Sequence, residues 1–154
     1  MHLTRLLDQS RRKKSEPIFD LLGDLDEVNC FLGSARVIAP RKLRSTLLRL
    51  QKTVLLLASL VAGKKASHKL KQEQNWLQQA IKKWEANLTP KSFVLPGKNE
   101  LAVRLHLARA VVRRAERRAV AVLSTSETKD QIILDYLNRL SWFLFLLAWK
   151  RGQK

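Results

Sequence analysis

Residues 100–123, ELAVRLHLARAVVRRAERRAVAVL, carry the pattern from which the fold is read. Arg109, Arg113 and Arg117 recur every four residues, which lines them along one face of an α-helix. The small residues Ala108, Ala110, Ala115 and Ala119 would let a neighbouring helix approach closely. Asn99 is the expected N-cap, since its side chain can accept from a free N–H of the first turn. Glu100 lies four residues before Arg104, and Glu116 three after Arg113, spacings at which an acid braces a base by roughly a few tenths of a kcal/mol.

Outward from this segment the apolar spacing stays helical, and no segment alternates convincingly as a strand. A first helix is expected over 16–38, with Ile18, Leu21, Leu22, Leu25, Val28, Leu32 and Ala35 inward. Ser15 is its expected N-cap, Pro17 suits its first turn, and Pro40 closes its end. A second spans 41–62, with Leu43, Leu47, Leu50, Val54, Leu57 and Val61 inward and Gly63 ending it. The polar run KKASHKLKQEQ, 64–74, is expected to start as a loop. A third helix then has Leu70, Leu77, Ile81, Trp84 and Leu88 on one face. TPKSFVLPGKN, 89–99, breaks helicity with two prolines and a glycine. STSETK, 124–129, separates the fourth helix from a fifth over 129–150, whose stripe is Ile133, Tyr136, Leu137, Leu140, Phe143, Leu144 and Leu147. Trp76, Trp84, Tyr136 and Phe143 fall on these core stripes. The expectation is an all-α, five-helix bundle with antiparallel neighbours. It forms one domain over 1–154, with a short basic segment at 1–15.

A chain of 154 residues with 45% hydrophobic and 28% charged residues is globular rather than disordered. A single cysteine, Cys30, excludes an intramolecular disulfide framework and fits a reducing compartment. It lies among apolar neighbours and is expected to be buried. His2, His68 and His106 are isolated, which argues against a protein-bound zinc; His106 reads as a packing or interface residue. The apolar runs at 54–62 and 142–149 are far shorter than the roughly 20 residues that cross a bilayer. RRKK at 11–14 follows a start without the apolar core of a secretory signal, so the expected location is cytoplasmic, away from the membrane.

The unusual quantity is a net charge of +17, from 30 Lys and Arg against 13 Asp and Glu. A field of this sign attracts nucleotide phosphates and nucleic acid alike. In RRAERR, 113–118, four arginines face one glutamate, so the cluster repels itself unless an outside anion neutralises it. The guanidinium fork gives bidentate, charge-assisted bonds to phosphate. A solvated helix face, a nucleotide site and a basic helical surface for nucleic acid or another polyanion are all compatible with that chemistry.

Four stretches together resemble one family: GDLDEVNCFLG (23–33), FVLPGKNELAVRLHLAR (93–109), RRAERR (113–118) and YLNRLSWFLFLLA (136–148). In order and spacing they look like the PduO-type ATP:cob(I)alamin adenosyltransferases. The resemblance covers most of the chain from about residue 11 onward. It implies a five-helix bundle assembled as a homotrimer, with active sites between subunits. The adenosyl group of ATP passes to reduced cobalamin and triphosphate is released, with Mg2+ accompanying the phosphates. A flavoprotein reductase and a cobalamin-dependent enzyme are the implied functional partners.

By the same resemblance Lys14 contacts the phosphates, and Thr4 falls near the threonines that follow the family's phosphate loop. Arg113, Arg114, Glu116, Arg117 and Asn138 bind ATP, and Arg113 also acts in catalysis. Asp26 and Arg109 join neighbouring subunits beside the cobalamin, and Phe93 covers the lower face of the cobalt. The alternatives are loop packing for Phe93, a purely structural interface pair for Asp26 and Arg109, and an ordinary helix-surface amide for Asn138.

The chain departs from the family at three places. The family's T-R-T-G-D-x-G loop has no counterpart in MHLTRLLDQSRRKK, residues 1–14; Trp142 replaces an Asp, and Lys98 replaces the second glycine of a PGG turn. Three readings of the missing loop stand: an enzyme with a reduced ATP site, a catalytically impaired relative that binds cobalamin or another anion, or a start internal to a longer chain.

Overall fold

The computed structural model describes residues 3–86 and 94–152. Leu88 and Phe93, singled out above, lie outside the described residues. Five helices are described: α1 (Pro17–Ile38), α2 (Arg41–Val61), α3 (Ser67–Glu85), α4 (Glu100–Val122) and α5 (Thr128–Gly152). α4 packs between α1 and α5, α1 also packs on α2, and α3 packs on both α5 and α2. The helices therefore close a ring around one core, as expected of the bundle. Tyr136 and Phe143 of α5 are its largest buried side chains, with Leu21, Leu25, Leu47, Leu57, Leu70 and Leu105 around them. Trp76 and Trp84 meet Phe143 edge-on, at 6.4 and 6.3 Å between ring centroids.

The sequence missed a short antiparallel hairpin, β1 (Leu3–Arg5) and β2 (Arg11–Lys13), with Thr4 opposite Arg12. Three-residue strands are too short to show alternation, and the turn contains no glycine. Gln9 takes the left-handed conformation at φ 68°. Asp8 Oδ1 closes that turn by accepting from Ser10 N at 2.9 Å and Ser10 Oγ at 2.6 Å. Those bonds from Ser10 hold the Asp8 carboxyl below the usual carboxylate range. The hairpin docks on the end of α2, where Leu7 N donates to Ala62 O at 3.0 Å. Gly63 permits this, because its φ is 101° and a Cβ there would lie 2.6 Å from Asp8 Cβ.

Helix ends differ from expectation in two places. The N-cap of α1 is Glu16 rather than Ser15, and it makes no side-chain cap bond. Its carboxylate faces the hairpin instead, accepting from Lys13 N at 2.9 Å and Arg12 Nη1 at 3.2 Å. α3 begins at Ser67, so most of the polar run at 64–74 is helical; Leu70 and Gln74 are buried and anchor it. Asn99 caps α4 as expected: Oδ1 accepts from Ala102 N at 2.8 Å, and Nδ2 donates to Arg151 O at 2.6 Å, tying α4 to the end of α5.

Ala108, Ala115 and Ala119 are buried where α4 meets its neighbours, whereas Ala110 is exposed. Cys30 is exposed on α1, contrary to expectation, because it falls outside the stripe Leu21–Leu25–Val28–Leu32. α5 is 25 residues long with a mean hydropathy of 1.3 in its most apolar stretch, enough by length and composition to cross a membrane. Its apolar stripe is buried in the bundle, from Ile133 to Leu147, which is the signature of a core helix.

Candidate functional site

α1 and α4 run antiparallel, since Arg104 Nη1 reaches Ser34 O at 2.6 Å while Arg118 Nη1 reaches Asp20 O at 3.0 Å. The arginines of α4 thereby divide into two rows. Arg114 and Arg118 turn toward α1 and converge on Asp24. Oδ1 of this buried carboxylate accepts from Arg114 Nε at 2.8 Å and from Arg118 Nη1 at 2.9 Å. Arg114 Nη2 also pairs with Glu27. The hydrogen bond to Asp24 is the main cause that raises the Arg114 pKa above its ordinary value.

The other row faces outward. Arg113 and Arg117 are exposed, and neither pairs with an acid among the described residues. Among the described residues Arg117 Nη1 donates only to Arg113 O, at 3.2 Å. Arg109, one turn earlier, is half-buried, and its Nε has no partner among the described residues. Burial first, and the charge of Arg113 second, depress its pKa below the ordinary arginine value.

Glu116 does not brace Arg113. Its Oε1 accepts from Asn138 Nδ2 at 2.8 Å, joining α4 to α5 beside the outward row. The structure thus brings together two residues that the resemblance assigned to one nucleotide. The bracing pair expected near the start of α4, Glu100 with Arg104, is present. His106 is buried on α4 and packs edge-on against Phe145 at 6.4 Å. Its Nδ1 is unpartnered among the described residues, and its pKa is lowered, first by burial and then by Arg109.

The remaining candidates are spread out. Asp26 is exposed on α1 and forms no pair with Arg109 within the chain. Thr4 lies on β1, and Lys14 is exposed just after β2. Both belong to the hairpin, at the end of the bundle toward which α4 runs. Lys98 is exposed ahead of α4. Trp142 is exposed on α5 beside a cleft of about 410 Å3 that Asn138 also lines.

Sequence reasoning missed Asp24 and Glu27. A signal for Asp24 was present: an acid within the apolar stripe of α1, between Leu21 and Val28, needs a cation from the facing helix.

A model of the cobalamin adenosyltransferase family matches residues 1–151. The corrinoid adenosyltransferase PduO of Salmonella typhimurium is 36% identical over 153 residues, covering 94% of this chain and 45% of that protein. The human corrinoid adenosyltransferase MMAB is 32% identical over 151 residues, covering 90% and 60%. A corrinoid adenosyltransferase of Citrobacter freundii is 35% identical over 153 residues, covering 94% and 86%. The chain spans about half the length of the Salmonella protein and under two-thirds of the human one. Among solved structures, a variant PduO-type ATP:corrinoid adenosyltransferase from Lactobacillus reuteri, complexed with cobalamin and ATP, is similar at 26% identity with a TM-score of 0.84. That likeness covers 98% of this chain and 88% of that one.

Proposed function

The chain belongs to the cobalamin adenosyltransferase family, and on that premise we propose that it transfers the adenosyl group of ATP to cob(I)alamin and releases triphosphate. The observation that carries this reading is the division of α4. Arg114 and Arg118 are neutralised by α1, while Arg113 and Arg117 stand open beside the Glu116–Asn138 pair. Two outward guanidinium groups four residues apart suit an anion with several charges, and fixed cations stabilise charge that gathers on a leaving triphosphate.

In this reading Arg113 and Arg117 hold the phosphates, and Glu116 with Asn138 orients the nucleoside. Arg114 has a second task beside its part in ATP binding. With Nε and Nη2 bonded to acids of α1, it positions α4 and leaves Nη1 for the phosphates. The acceptor for transfer is the reduced corrinoid, whose cobalt attacks the 5′-carbon of ATP. Phe93 keeps the role of covering the lower face of that cobalt. No cluster of three His, Cys, Asp or Glu gathers for a metal among the described residues. A magnesium ion would therefore be held chiefly by phosphate oxygens and water.

A homotrimer belongs to the same proposal. Among the described residues Arg109 Nε has no partner and exposed Asp26 pairs with no cation, and a neighbouring copy would supply each with the other. Thr4 and Lys14 extend the phosphate site from the hairpin, at a cytoplasmic location with a flavoprotein reductase and a cobalamin-dependent enzyme as functional partners. The test is anaerobic incubation with ATP, magnesium and cob(I)alamin, followed by optical spectroscopy. Formation of the adenosylated corrinoid is expected; an unchanged cob(I)alamin spectrum refutes the activity.

A further inference from the structure

Trp142 is 41% exposed on α5, one helical turn beyond Asn138, yet it is fixed from two sides. Its Nε1 donates to Glu85 Oε1 in the last turn of α3 at 2.5 Å. Its ring lies on Phe145, with centroids 5.2 Å apart and planes 19° from parallel. Phe145 is steadied in turn by the edge of buried His106 on α4. An indole locked at its edge and on one face holds its other face in a defined place at no further cost in side-chain freedom.

Trp142 lines the cleft of about 410 Å3 together with Asn138, Lys82, Glu85, Asp135 and Arg139. Two acids and two bases cancel in formal charge, so this cleft does not suit a phosphate chain. It suits an uncharged ring whose rim carries both donors and acceptors. Its volume is near the lower end of small-molecule sites, roughly 300–1,000 Å3, which accommodates a base or one edge of a larger macrocycle.

We propose that Trp142 is a stacking platform for a flat, uncharged conjugated ring, fixed between Glu85 and Phe145 and adjoining the Glu116–Asn138 pair. This rests on the function proposed above, which brings to the site the adenine of ATP, a flat neutral ring with a π face for the indole and a rim of donors and acceptors for the mixed polar groups. The corrin of cobalamin, puckered and with substituents on both faces, is the competing occupant that the test separates.

Binding of ATP with magnesium, and separately of cobalamin, is measured by calorimetry on the full chain. The wild type is compared with Trp142→Leu, Trp142→Phe and Arg113→Ala. Trp142→Leu should raise the Kd of one ligand roughly ten-fold or more, and Trp142→Phe clearly less; the ligand affected identifies the ring. The same ligand should quench wild-type tryptophan emission by an amount missing in Trp142→Phe, a reading independent of how well the leucine variant folds. Both Trp142 variants binding both ligands within about two-fold of wild type, while Arg113→Ala loses ATP, overturns the platform and leaves the nucleotide site standing. Equal weakening of both ligands in Trp142→Leu with no emission change in the wild type also overturns it, reducing Trp142 to a strap between α3 and α5. A wild-type chain that binds neither ligand overturns the function and the platform together.

Discussion

Replacing Asp24 with alanine removes the acceptor that holds α4 on α1. The side chain of Asp24 is 3% exposed, and its Oδ1 takes bonds from Arg114 at 2.8 Å and Arg118 at 2.9 Å. Breaking a fully buried ion pair costs about 3–5 kcal/mol, because a charge is stranded in a low dielectric. Here the stranded groups are guanidiniums with side chains 38% and 42% exposed, which water reaches, and Arg114 keeps Glu27. Oδ2 of Asp24 has no partner among the described residues, so the native carboxylate is itself incompletely compensated. Both facts pull the cost down, to about 2 kcal/mol. For a chain of this size that lowers Tm by about 4–8 °C. Asp24→Asn keeps a neutral acceptor at Oδ1 and should lose about half as much. Asp20→Asn is the control. The side chain of Asp20 is exposed, and its bond to Arg118 comes from the backbone carbonyl, so the change should stay within about 0.5 kcal/mol. Thermal unfolding followed by far-ultraviolet circular dichroism reads all three. An Asp24→Ala protein that melts with the wild type refutes the idea that these arginines hold the helix.

Arg113→Ala should abolish or strongly impair ATP binding while leaving helix content intact, since among the described residues its side chain has no acid partner to lose; calorimetry with unchanged affinity would remove the nucleotide site. Gly63→Ala should destabilise by about 1–3 kcal/mol, from a φ of 101° and a Cβ 2.6 Å from Asp8, visible as a lower urea midpoint. His106 has a folded pKa below the ordinary 6.5 of an imidazole, because burial disfavours its charged form, so the unfolded chain binds its proton first on acidification. Its share of stability is complete above about pH 6.5 and is lost as pH falls through the lower folded value. His106→Leu should flatten that part of the urea-midpoint profile, and an unaltered slope would refute it. Light scattering at micromolar concentration should give about three times the 17.7 kDa of one chain, and a monomer would refute the pairing of Asp26 with Arg109 across subunits.

The helices were legible because each has a buried stripe at helical spacing, and because Asn99, Pro17 and Gly63 mark ends by chemistry that acts within a few residues. What escaped depends on contacts between segments distant in sequence. The hairpin is held by a turn built on Asp8 and by docking on Ala62, neither of which imposes a periodicity. The start of α3 was hidden by its polar composition, since only Leu70 and Gln74 of its first turns reach the core. At the site, the outward line Arg109–Arg113–Arg117 was legible from spacing alone. The partner of Arg114 was not, because Asp24 lies 90 residues away in the chain.

Consecutive residues on a helix differ by about 100° in direction, so a run of the form RRxxRR necessarily presents two rows of cations on different faces. The repeat itself does not say which row is structural and which is free. Position 24 decides it. An acid buried in the stripe of α1 takes the row 114–118 and thereby turns 113–117 away from the bundle. Had the acid faced the other row, Arg113 would be consumed in packing and Arg114 left outside. The open row therefore owes its direction to a residue that need not touch the ligand. It follows that loss of Asp24 should weaken ATP binding even at temperatures where the bundle stays folded, and Arg114→Lys, which keeps the charge but loses the fork, should do so less than Arg113→Ala.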